Sequence, residues 1–117
     1  MNPSILPSKS FDKNYLLRLL NGNTEMMGVV LNEIYYTLPK CLSEIDSGLK
    51  NNDSLGVVTY ATRAKSALLM IREDQLAQAF NQIEISARNG EMKLAEITFI
   101  DAFNDTLSCI SSMKEAV

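Results

Sequence analysis

Histidine is missing from all 117 residues. The chain therefore lacks the side chain that most readily moves protons near neutral pH, and the one that holds a phosphoryl group most labilely. Only two cysteines are present, Cys41 and Cys109, far apart and in apolar-periodic surroundings. They give no zinc-finger spacing. A core that stands by itself needs no disulfide, so two buried free thiols are expected. Glycine is scarce, at five residues, and forms no glycine-rich loop. The basic residues form no run and no aromatic stacking pair sits on a strand, which argues against nucleic acid as a partner. No apolar stretch approaches the roughly 20 residues of a membrane span. Pro3 and Pro7 interrupt the start, where a secretion signal would need an unbroken apolar run. The expectation is a cytoplasmic protein in a reducing setting, without a membrane or nucleic-acid partner.

What is present suits one small domain. Hydrophobic residues make up 46% of the chain and charged ones 21%, enough to build a core without staples. A chain of 13.0 kDa buries roughly two-thirds of its extended area on folding. Eleven basic residues face fourteen acidic ones, a net charge of -3. Residues 1–9 read as an irregular arm and 10–117 as a single domain.

Helical periodicity runs through nearly all of that domain. Ser10 can cap a short first helix ending near Leu20, with Tyr15, Leu16, Leu19 and Leu20 as its apolar stripe. Gly22 closes it, and Asn23 or Thr24 offers the next cap. From about Glu25 to Leu49, Met27, Val30, Leu31, Ile34, Leu38, Leu42, Ile45 and Leu49 recur at spacings of three and four, on one face of a long helix. Pro39 falls inside this run and is expected to bend it near Thr37. Asp53 or Ser54 caps a third helix reaching about Ile71, with Val57, Ala61, Ala64, Leu68 and Ile71 inward. A break at Arg72-Glu73-Asp74 leads into a fourth, with Leu76, Phe80, Ile83 and Ala87 inward, and Gly90 stops it. The last helix, from about Met92 to Lys114, places Ile100, Phe103, Leu107 and Ile110 on one side. Val57-Val58-Thr59-Tyr60 is locally β-rich, but the helical period continues through it. The fold class is therefore all-α: an antiparallel up-down-up-down four-helix bundle with a short additional N-terminal helix.

The third helix turns Leu55, Val58, Thr62, Lys65, Leu69 and Arg72 away from its inward stripe. A helix partly covered by a neighbour, with its two cations solvated, accounts for this pattern on composition alone. The sharper reading is a mixed apolar and basic patch suited to an acidic partner surface. In that reading Lys65 and Arg72 steer the partner, while Val58 and Leu69 lose water at the contact.

The order of motifs resembles the histidine-containing phosphotransfer family, four-helix carriers that exchange phosphoryl groups with aspartate-bearing receiver domains. The family's segment His-x-Leu-Lys-Gly-x-Ser/Ala follows an acidic or polar turn. Here Asp53-Ser54-Leu55 resembles that lead-in, and Ala64-Lys65-Ser66-Ala67 resembles the Leu-Lys-Gly-x portion. This register puts Thr62 at the position of the phosphorylated histidine. Asn21-Gly22-Asn23-Thr24-Glu25 before a long helix containing Leu38-Pro39, then Leu76-Ala77 and Arg88-Asn89-Gly90, extend the likeness from about Tyr15 to Met113. The departures are Thr62 for histidine, Ser66 for the glycine that admits a partner or phosphate closely, and Arg72 where a small residue commonly ends the helix.

The resemblance implies a degenerate member: an adaptor that binds a response-regulator receiver domain or a histidine kinase through Leu55, Val58, Thr62, Lys65, Ser66, Leu69 and Arg72 without accepting phosphate. A threonine ester is a stable end product, and a neutral hydroxyl needs a positioned base before it attacks. No catalytic residue, metal site or cofactor is expected. Glu73, Asp74, Glu84, Glu91, Glu96, Asp101 and Asp105 read as solvated faces and helix starts. Asp101 and Asp105 are four apart, too few to make a good cation site. Met26, Met27 and Met70 read as core fillers, and Tyr35-Tyr36 puts one ring inward and one outward. The competing expectation is a structural or oligomerisation bundle, unrelated to phosphorelay signalling, in which the third helix meets another subunit.

Overall fold

The computed structural model describes residues 13–116. The 1–9 arm and the Ser10 cap lie outside them. Five helices follow in order: α1 (Lys13–Leu19), α2 (Thr24–Lys50), α3 (Ser54–Met70), α4 (Asp74–Arg88) and α5 (Met92–Ala116). Among the described residues there is no strand. Three-residue corners join the four long helices, so neighbours run antiparallel, as in an up-down-up-down bundle. Packing closes the ring through the α2–α3, α3–α4, α4–α5 and α2–α5 contacts, with α1 laid against α2. The α3–α4 contact is the most extensive.

The caps follow from the sequence. Asn23 accepts a hydrogen bond from the Met26 N–H at 3.0 Å and opens α2. Asp53 does the same for α3, accepting from the Gly56 N–H at 3.0 Å. The corners after α2, α3 and α4 share one design. An N–H reaches back five residues to the last turn: Asp53 to Gly48 O at 2.7 Å, Glu73 to Leu68 O at 2.9 Å and Glu91 to Ser86 O at 2.8 Å. Each closure needs a left-handed residue just before it, supplied by Asn52, Arg72 and Gly90 at φ of 54°, 61° and 80°. Gly48 lets α2 and α3 meet closely, since a Cβ there would lie 2.8 Å from Val57 Cγ2.

Leu31, Ile34, Leu38, Leu42 and Ile45 of α2 are buried, as are Val57, Ala61, Ala64 and Leu68 of α3, Ile71 just after it, and Leu76, Phe80, Ile83 and Ala87 of α4. These match the inward stripes read from periodicity. Leu16 anchors α1, whereas Leu19 is exposed. Pro39 lies within α2 on its exposed side. Proline cannot donate to the carbonyl of Tyr35, four residues back. Of the paired tyrosines, Tyr35 is half-buried and Tyr36 exposed, ring edge to ring face at 5.3 Å. Met113 is fully buried, but Met26 is exposed and fills no core space.

The last helix turns differently from its largest apolar stripe. It buries Ala95, Phe99, Ala102, Thr106, Cys109 and Met113, leaving Ile100 62% exposed and Leu107 outward as well. Small residues on the buried side let α5 approach its neighbours closely, and close packing outweighs stripe size. The Thr106 hydroxyl donates to Ala102 O at 2.8 Å, so burial leaves it satisfied.

Candidate functional site

The α3–α4 seam sets the geometry around Thr62. Alanines at 61, 64 and 67 keep the buried side of α3 thin, and α4 therefore comes close enough for polar side chains at the seam's edge to meet. The Ser54 hydroxyl donates to the carbonyl of Ala87, tying the start of α3 to the end of α4. Thr62 stands midway along α3, half-buried, and its hydroxyl donates to Val58 O at 2.8 Å.

Lys65 leans across the seam. Its Nζ donates to Glu84 Oε1 at 3.0 Å and to Asn81 Oδ1 at 3.1 Å. The other oxygen of Glu84 accepts from Arg88 Nη2 at 2.8 Å. Only 14% of the Glu84 side chain is exposed. The hydrogen bond from Arg88, then that from Lys65, holds its carboxyl down at about 2 against the opposing effect of burial, and the Thr62 hydroxyl adds to the same side. Thr62 has one proton, which serves either Val58 O or Glu84 at any moment.

This arrangement does not activate Thr62. A general base works best with a pKa near the operating pH, and Glu84 is a carboxylate whose proton affinity has been lowered far below that. The two thiols are no better placed, since burial pushes Cys41 up to about 11 and Cys109 up to about 12. Both cysteines are free and buried. Among the described residues, no three His, Cys, Asp or Glu side chains gather as a metal site requires. Asp101 and Asp105 instead border a shallow groove between α4 and α5 with Gln75 and Thr98.

The residues singled out on α3 do not form one continuous strip. Leu55 is 76% exposed near the start of the helix and Leu69 47% exposed near its end. Val58 packs partly against the core between them. Ser66 turns the other way, toward α2, and borders an apolar groove of about 340 Å³ with Val29, Val30, Ile34, Ala67 and Met70. Arg72 has left the helix altogether. It occupies the left-handed corner position, pairs with Asp74 at 3.5 Å and lays its guanidinium over the Tyr15 ring at 4.8 Å. Both cations assigned to a partner thus already face carboxylates of this chain.

Asn81, Glu84 and Arg88 belong to the site but were not singled out from the sequence, where Glu84 reads as a solvated face and Arg88 as part of a helix end. Their spacing of three and four places them on one side of α4, next to the inward residues Phe80, Ile83 and Ala87. That adjacency is the mark of a seam-edge position. Compared with protein-family models, curated proteins and solved structures, the chain finds no match in any of the three.

Proposed function

We propose that this chain is a non-catalytic adaptor that docks a receiver domain or a histidine kinase domain on the α3 face without accepting phosphate. The reading draws on the resemblance of residues 53–67 to a phosphotransfer segment. The observation that carries it is the occupant of that segment's centre: an unactivated threonine beside an ionised glutamate. A phosphoryl group brought to Thr62 would meet a negative charge at close range, and the nearest ammonium is already paired. The α3 segment itself is basic, although Lys65 and Arg72 are already paired with Glu84 and Asp74. Residues 54–72 include Arg63, Lys65 and Arg72 and no acidic residue, although the chain as a whole carries a net charge of -3. Leu55 and Leu69 supply apolar contact at the two ends of the face.

Titrating the isotope-labelled chain with receiver and kinase domains tests this directly. Amide shifts clustered on Val58, Thr62, Lys65 and Leu69 are expected for the cognate domain. Silence at these positions with every candidate would reject the surface.

A structural or oligomerisation role has its own supporting observation. Leu94, Ile97, Ile100 and Leu107 are exposed along α5, an apolar stripe left uncovered among the described residues. Under that reading Ile100→Asp lowers a concentration-dependent mass in sedimentation, while the adaptor reading leaves the mass unmoved.

A further inference from the structure

The cluster on the α3–α4 seam has the composition of an oxyanion site that is already filled. Donors from two helices converge on a single carboxylate. Lys65 reaches Oε1 at 3.0 Å, Arg88 reaches Oε2 at 2.8 Å, and the Thr62 hydroxyl lies within hydrogen-bonding reach. Asn81 steadies the ammonium from its other side at 3.1 Å. Two cationic donors on the two oxygens of one anion, with a hydroxyl beside them, is the pattern by which proteins hold carboxylates and phosphates.

We propose that Glu84 is the resident anion of this site, an intramolecular ligand that keeps the seam closed to free oxyanions such as inorganic phosphate. Glu84 is attached to α4 and needs no translational freedom surrendered to stay in place, so a dilute external anion competes poorly. With the carboxylate removed, Lys65 and Arg88 lose their shared counter-charge at a partly covered position, and an oxyanion entering there restores it. The inference goes beyond the adaptor reading and holds whichever partner docks.

Three proteins decide it: the wild type, Glu84→Ala, which vacates both charge and space, and Glu84→Gln, which removes the charge but keeps the side chain in place. Each is titrated with inorganic phosphate at constant ionic strength, with chloride as the control, while the Thr62 amide and the Arg88 Nε–H are followed by NMR. Saturable shifts are expected for Glu84→Ala, with phosphate bound at least tenfold tighter than by the wild type, and only weak, chloride-like drift for Glu84→Gln. Adding Lys65→Met to Glu84→Ala is expected to abolish the binding. If Glu84→Ala is only marginally folded, its melting temperature is the readout, and phosphate should raise it more than it raises that of the other two. Equal responses in all three proteins, or tight phosphate binding by the wild type, would overturn the proposal. A negative receiver titration has no bearing on these outcomes, so the two readings fail separately.

Discussion

Arg72 has a backbone conformation that L-residues enter at a cost of roughly 1 kcal/mol or more, because Cβ crowds the following carbonyl. The corner closes only with φ positive at this position, and here φ is 61°. The side chain offsets part of that cost by stacking on Tyr15 and pairing with Asp74. Two substitutions separate these effects. Arg72→Ala removes the contacts and keeps the strain, whereas Arg72→Gly removes both. The glycine variant is expected to be more stable than the alanine variant by about 1 kcal/mol in urea unfolding. An alanine variant equal to or above the glycine one would mean that the corner relaxes. Arg72 is therefore a fastener of α1 to the α3–α4 corner, and its guanidinium is committed before any partner arrives.

At the scale of elements, the α3–α4 pair owes part of its stability to an ionised Glu84. Its carboxyl is held at about 2 in the folded chain against an ordinary 4.5. A folded pKa below the unfolded one means stability that is complete above about pH 4.5. It is lost as the pH falls from there toward 2. Arg88 is 62% exposed, so solvent screening reduces the contribution to on the order of 1 to 2 kcal/mol. Urea unfolding of the wild type and Glu84→Gln across this range is expected to show the full difference at pH 7 and near-coincident curves at pH 2. A gap that persists at pH 2 would assign the effect to shape and not to charge. The same helices show where sequence patterns stop being informative. Glu84 reads as a solvated carboxylate along α4 because nothing in its own neighbourhood says that Lys65, 19 residues earlier, comes to lie against it.

For the whole molecule, the distribution of charge matters more than its sum. Acidic residues gather on α2 and α5, while the 54–72 stretch has none; the carboxylates set against Lys65 and Arg72 on the α3 face are Glu84 and Asp74 of α4. Long-range attraction of an acidic partner to that face weakens as salt screens it. Leu69→Asp adds a charge at an exposed position, where folding stability is expected to shift by no more than about 0.5 kcal/mol. In the adaptor reading this variant keeps its solution mass and loses the receiver-induced shifts. A changed mass would instead mark α3 as a contact between copies of the chain.

Sequence alone determined the helices, the caps of α2 and α3 and the three inward stripes of α2, α3 and α4, because these depend on residues three or four apart on the same stretch of backbone. It turned Thr62 away from the inward stripe of α3, and the structure leaves that residue half-buried at the seam with α4. It did not determine which side of α5 turns inward, because that helix offers more than one apolar stripe, and close approach of neighbouring helices selects the one with small residues. Nor did it bring Thr62, Lys65, Asn81, Glu84 and Arg88 together. Only the tertiary structure did so, because the antiparallel return of α4 along α3 sets residues from two separate stretches within hydrogen-bond reach.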